Sequence, residues 1–230
     1  MANPPHDLEE PDYAADELAE AEARKARSIA QLRSEGVPHI DWLPFLDPVS
    51  RAQLRLPDEV ARRAFCLFAV AMRASPGMRG HAVKALRDYR VEGDLTPQER
   101  MWFRPFISER ARVQASWRIE ACVALLWYLG HLPELPRPDR VAETGCIAER
   151  VQDLGPTRFF TGVIPRTPTE ALDEADLIYR YHWAVRDAQL HGRPCPAGLN
   201  GDVVMERHKA LNWLIADPHE AQWDLVATDT

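Results

Sequence analysis

The chain has 230 residues, 46% of them hydrophobic and 27% charged, enough apolar material for one well-buried core. Its longest apolar runs, AFCLFAVAM and the stretch around IEACVALLWYLG, fall well short of the roughly 20 residues of a membrane span, and Glu120 interrupts the second. The formal charge of −7 is concentrated at the start, where residues 1–22 carry eight acids and no Lys or Arg; without that −8 the remainder stands near +1, which excludes the strongly basic face of a nucleic-acid binder.

Residues 1–15, with Pro4, Pro5 and Pro11 among the acids, read as a disordered acidic tail, and residues 16–230 as a single helical domain. Helical periodicity begins near Ala14 and runs to Ser34, where Gly36 and Pro38 stop it. The segment HIDWLPFLDPVSRAQLRLP has three prolines and no clear period, so it reads as a loop held to the surface by Trp42, Leu43 and Phe45. Pro57, followed by Asp58 and Glu59, opens a helix. Two further helix starts share one device, TPQE at 96–99 and TPTE at 167–170: threonine caps, proline takes the first turn and glutamate reaches back. Between them, ISERARVQASWRIEACVALLWYLG is apolar nearly all round after Trp117 and ends at Gly130, as a central helix should. Residues 131–166 are proline-rich and read mostly as loop, with a short helix around Ala142 to Leu154 and RFFTGVI as a possible short strand. No other period-2 pattern repeats, so the fold class is all-α with at most one minor strand.

The start of the chain lacks the basic and apolar stretches of a secretory signal, which makes the cytoplasm the expected compartment. Cys66, Cys122, Cys146 and Cys195 are scattered and suit reduced thiols. No H-E-x-x-H or C-x-x-C pair, phosphate loop, dinucleotide fingerprint or G-x-S-x-G elbow appears, so no metal or cofactor is expected. Trp117, Trp127, Trp183 and Trp213 stand at helical spacing and read as core.

The chemistry of interest is the charge inside the apolar faces. On a wheel of about 100° per residue, DLIYRYHWAVRDAQL gathers Ile178, Val185, Ala175, Leu172 and Trp183 on one half, and His182, Arg186 and Asp176 fall within it. Asp173, Glu174, Arg180 and Asp187 take the opposite, solvated half, from which Arg180 can pair with Asp176 at i,i+4. In DVVMERHKALNWLI, Arg207 sits near the middle of the apolar face, with Glu206 at one margin and His208 at the other. Glu120 falls between Trp127 and Ala124, and Arg63 between Val70 and Leu67. Burying one charge alone costs several kcal/mol, so these groups need partners or water. Two arrangements satisfy them. In one, Glu120, Asp176 and Glu206 meet Arg63, Arg186 and Arg207 in a structural cluster, and the protein is a non-catalytic binding module whose partner is another protein. In the other, surplus positive charge leaves a pocket lined by Arg186 and Arg207, beside His182 and His208, for a small anion or an anionic substrate.

The motifs WRIEACVALLWYLG, DEADLIYRYHWAVRDAQL, VVMERHKALNWLI and the terminal WDLVATDT, in this order, make the chain similar to the bacterial domain-of-unknown-function 4272 family from roughly Arg24 to Thr230. The resemblance implies that Trp117, Arg118, Glu120, Trp127, Asp176, Tyr179, His182, Trp183, Arg186, Glu206, Arg207, Trp213, Trp223, Asp224, Asp229 and Thr230 belong to a shared pattern. It implies no activity and gives none of them a role. It also implies that the terminal segment is docked on the body, against the usual habit of chain ends.

Overall fold

A computed structural model describes residues 12–216 and 222–228. Within them eight α-helices follow one another: α1 (Ala15–Glu35), α2 (Pro57–Ala74), α3 (Arg79–Asp88), α4 (Pro97–Trp102), α5 (Glu109–Tyr128), α6 (Thr144–Thr161), α7 (Pro168–Leu190) and α8 (Gly201–Ile215). There is no strand among the described residues, so the fold is all-α. No helix among them is long and apolar enough to cross a membrane.

The two threonine-proline starts form as the sequence requires. Thr96 Oγ1 accepts from the Glu99 amide at 3.2 Å while the Thr96 amide donates to Glu99 Oε2 at 2.9 Å. Thr167 and Glu170 repeat the exchange at 3.2 and 2.8 Å. In both helices proline takes the first turn, where its missing N–H removes nothing.

The apolar half of α5, from Ile119 to Leu129, is buried without interruption because α2 packs on one side of it and α8 on the other. In turn α8 carries α7, and α7 carries α1, while α3 lies against α2. Gly130 ends α5 with φ at +76°. A side chain there would also place its Cβ 2.3 Å from the Ile164 carbonyl oxygen, because residues 164–166 return across the helix end, with the Ile164 amide donating to Leu129 O at 3.1 Å and the Arg166 amide to Tyr128 O at 2.8 Å.

Two expectations are corrected. RFFTGVI is not a strand: Arg158 to Thr161 form the last turn of α6, which bends at Gly155 (φ +61°) and restarts at Pro156. A turn of this kind, glycine then proline at a first helical position, reads locally like a break. Of the three residues meant to hold the 37–56 loop, Leu43 is buried and Phe45 half-buried, but Trp42 is 77% exposed. Of the expected tail, residues 12–15 are described: the Asp12 carbonyl accepts from Arg51 Nη2 at 2.6 Å and the Tyr13 ring lies 4.6 Å below the same guanidinium. The rest of the expected tail, residues 1–11, lies outside the described residues. Helix α3 starts without a side-chain cap.

The terminal segment is docked as far as it is described. Trp223 is buried and meets Trp213 edge to face at 5.6 Å, and Asn212 Nδ2 donates to the Ala227 carbonyl at 3.1 Å. Asp229 and Thr230 lie outside the described residues.

Candidate functional site between the last two helices

The core-facing charges resolve into separate pairs. Arg207 of α8 donates from Nε and Nη2 to Glu120 Oε2 at 3.1 and 2.9 Å, and from Nη1 to the Pro136 carbonyl. The other Glu120 oxygen accepts from the Ala142 amide at 2.6 Å, so both of its oxygens are used, and both residues are buried. Arg63 of α2 pairs with Glu99, Nη2 reaching both oxygens at 2.9 and 2.7 Å. Asp176 and Arg180 form a two-pronged pair at 2.8 Å for each contact, and Arg180 also donates to the Pro44 carbonyl at 3.1 Å. Glu206 is held by Arg118.

This arrangement corrects two expectations. Arg186 does not face the core and meets neither Glu120 nor any other carboxylate among the described residues: it is exposed, and its guanidinium donates to Gln189 Oε1 at 3.1 Å. Arg180, expected on the solvated face, is only 2% exposed. The cause is that α7 is covered on two sides, by α8 and by α1 with its following loop, whereas a hydrophobic wheel registers only one. The single cluster that was expected is therefore several pairs, and Arg63 and Glu206 find partners, Glu99 and Arg118, that the wheels left out. Glu99 was visible as a capping residue. Its second role, as counter-ion to Arg63, has no local signature.

Of the remaining candidates, His182 and Arg186 line a cleft of about 320 Å³ between α7, the start of α8 and the terminal segment, together with Val185, Gln189, Gly201, Asp202, Met205 and Thr228. The helices come close here because Gly201 lacks a side chain; a Cβ would stand 3.1 Å from Val185 Cγ1 and 3.4 Å from Gln189 Nε2. Beneath the cleft, His182 Nδ1 and His208 Nδ1 are 2.7 Å apart, which requires one to donate and the other to accept. Burial holds both imidazoles neutral. It lowers His182 to about 4, helped by the Arg186 charge, and His208 to about 3, helped by His182. Each ring has its Nδ1 taken by the other, so His182 has only Nε2 left for a further contact. No side chain or backbone group among the described residues bonds that nitrogen, although His182 is only 4% exposed.

Arg186 and Asp202 stand at the mouth of the same cleft, both exposed, and neither has an ion-pair partner among the described residues. A second cleft, about 370 Å³ and mainly apolar, reaches Arg207 past Val123, Leu132, Pro136 and Ile147. There, however, the guanidinium is already committed to Glu120 and Pro136. No group of three or more His, Cys, Asp or Glu residues among those described is arranged to hold a metal ion. All four cysteines are free thiols.

No curated protein and no solved structure matches this chain. The model of one family, described as a domain of unknown function, matches residues 24–226, a span that takes in all eight helices except the first turns of α1. The chain belongs to that family, DUF4272.

Proposed function

We propose that this is a small-ligand-binding protein whose buried arginine–carboxylate pairs are a structural frame and whose ligand site is the cleft between α7 and α8. One observation carries the reading: among the described residues Arg207, Arg63, Arg118 and Arg180 are each matched by a buried carboxylate, whereas Arg186 meets none of them and shares its cleft with the buried His182, whose Nε2 has no partner there. A guanidinium that meets only a neutral amide among those residues, at a cleft mouth, suits an anion anchor. The two alternatives read from the sequence are thereby divided between different residues, Arg207 taking the structural role and Arg186 the binding one. A cytoplasmic setting belongs to the same reading and is supported by the four free thiols.

The test is a thermal-shift titration of wild type, Arg186→Gln and Arg207→Gln with acetate, isovalerate and phosphate. A small anion should raise the melting temperature of wild type, and Arg186→Gln should melt where unliganded wild type does but gain nothing from the anion. Arg207→Gln should melt lower and still respond. An anion response that survives in Arg186→Gln and vanishes in a folded Arg207→Gln would transfer the site to the other cleft.

A further inference from the structure

The polar groups of the α7–α8 cleft do more than attract an anion. Arg186 offers charged donors, and the positive end of α8 opens onto the same space at Gly201. Opposite in character is the Asp202 carboxylate, which has no partner among the described residues, and beside it in the cleft lining stands His182, whose Nδ1 is taken by His208 and whose Nε2 has no partner among the described residues. An inorganic anion satisfies only the first half of this set and brings its charge towards Asp202. A neutral hydroxylated compound satisfies His182 and leaves both charges unmatched. A small zwitterion, with an anionic group and an ammonium close together, answers all four groups, and an amino acid is the simplest of that class. Val185 and Met205 give the cleft apolar wall, and about 320 Å³ is room for a single small molecule.

Resting on the reading above, we propose that the cleft takes a free α-amino acid, its carboxylate against Arg186 and its ammonium between Asp202 and His182 Nε2. The neutrality of His182 is part of the fit, since a protonated imidazole would repel the ammonium and could only donate. Asp202 is then more than a helix-start acid: it is the group that distinguishes an amino acid from a plain carboxylate.

Calorimetry on the full chain at pH 7.5 tests this, with the standard amino acids offered singly and the best one then compared with its desamino and decarboxy analogues; for valine these are isovalerate and isobutylamine. One amino acid should bind at least tenfold more tightly than either analogue, Arg186→Gln should abolish binding, and Asp202→Asn should reduce the amino acid to the affinity of its desamino analogue. Both residues are exposed, so these variants keep the fold. If carboxylates bind as well as amino acids, or if Asp202→Asn changes nothing, the amino-acid assignment is wrong while the anion site stands. If neither amino acids nor simple anions bind, both readings fall.

Discussion

Arg186 and Arg207 lie in neighbouring helices with similar sequence surroundings, yet their environments call for opposite responses to the same substitution. Arg207→Ala leaves Glu120 buried, charged and short of its partner, which should cost about 3–5 kcal/mol in urea unfolding. Arg186→Ala should change stability by no more than about 0.5 kcal/mol, as at an ordinary surface position. The histidine pair adds a pH dependence with a definite sign. The unfolded chain protonates at the ordinary 6.5, while the folded values are depressed to about 4 and about 3, so acid favours the unfolded chain. Their contribution is complete above about pH 6.5 and is lost as pH falls towards 4. Glu174 acts in the other direction. Half-buried and with burial raising it from 4.5 to about 7, it holds a proton more tightly when folded, so its contribution is present below 4.5 and lost as pH rises through 7. Glu174→Gln should therefore raise the melting temperature at pH 8 and leave it unchanged at pH 4; a variant no more stable than wild type at pH 8 would refute this. At this scale the Glu120–Arg207 contact was legible because both residues fall among apolar neighbours on their helices, Glu120 between Trp127 and Ala124 and Arg207 near the middle of its face. Arg186 was misread, and Arg180 with it, because α7 has two covered sides and its period blurs.

Helix boundaries were the most legible feature among the elements, wherever a side chain does the capping. Thr167→Ala removes one cap bond of α7 at an exposed site and should cost about 1 kcal/mol. Thr96→Ala should cost more than that, because the Glu99 it orients is also the counter-ion of the buried Arg63; disturbing the cap loosens a helix end and an ion pair together. A comparison of the two variants by thermal unfolding measures the coupling directly, and equal losses would show that cap and ion pair are independent. Where a boundary depends on a distant segment, the sequence carries little of it. Gly130 is readable as a helix stop, but not as the place where the backbone returns from residue 164. Gly130→Ala should lower stability by more than the roughly 1–2 kcal/mol of a left-handed alanine, since the Ile164 carbonyl must also move. The α6 bend was hidden for a similar reason: the turn that restarts after the glycine–proline step is fixed by distant contacts, Phe159 standing edge to face on Phe65 at 5.4 Å with its carbonyl bonded to His131 Nε2 at 2.9 Å.

Across the whole molecule, the buried guanidinium groups bind loops as much as they bind carboxylates. The chain has 19 prolines, so its connecting segments carry carbonyls that no helix or sheet can satisfy. Arg24 donates to Leu46 O and Asp47 O at 3.2 and 3.0 Å, Arg180 to Pro44 O, Arg207 to Pro136 O, and Arg166 to Leu132 O and Pro133 O at 3.1 and 2.6 Å. Arg24, Arg180 and Arg207 thus reach from a helix, and Arg166 from the α6–α7 connection, into a proline-bearing loop. This accounts physically for a basic inventory in which only Lys25, Lys84 and Lys209 of 28 Lys and Arg residues are lysine. An ammonium keeps the charge but has a single nitrogen, and it cannot span a carboxylate and two carbonyls from one position. Arg24 is the sharpest case, being 1% exposed and also paired with Glu20. Arg24→Lys should strand at least one buried loop carbonyl and cost about 1–3 kcal/mol, and it should release the 37–56 loop to faster amide exchange and proteolysis while α2 and α5 stay protected. The matched control is Arg112→Lys, at an exposed ion pair with Glu109, where the same exchange should be nearly silent. Equal effects at the two positions would mean that charge alone, and not the branched reach of the guanidinium, holds the loops to the helices.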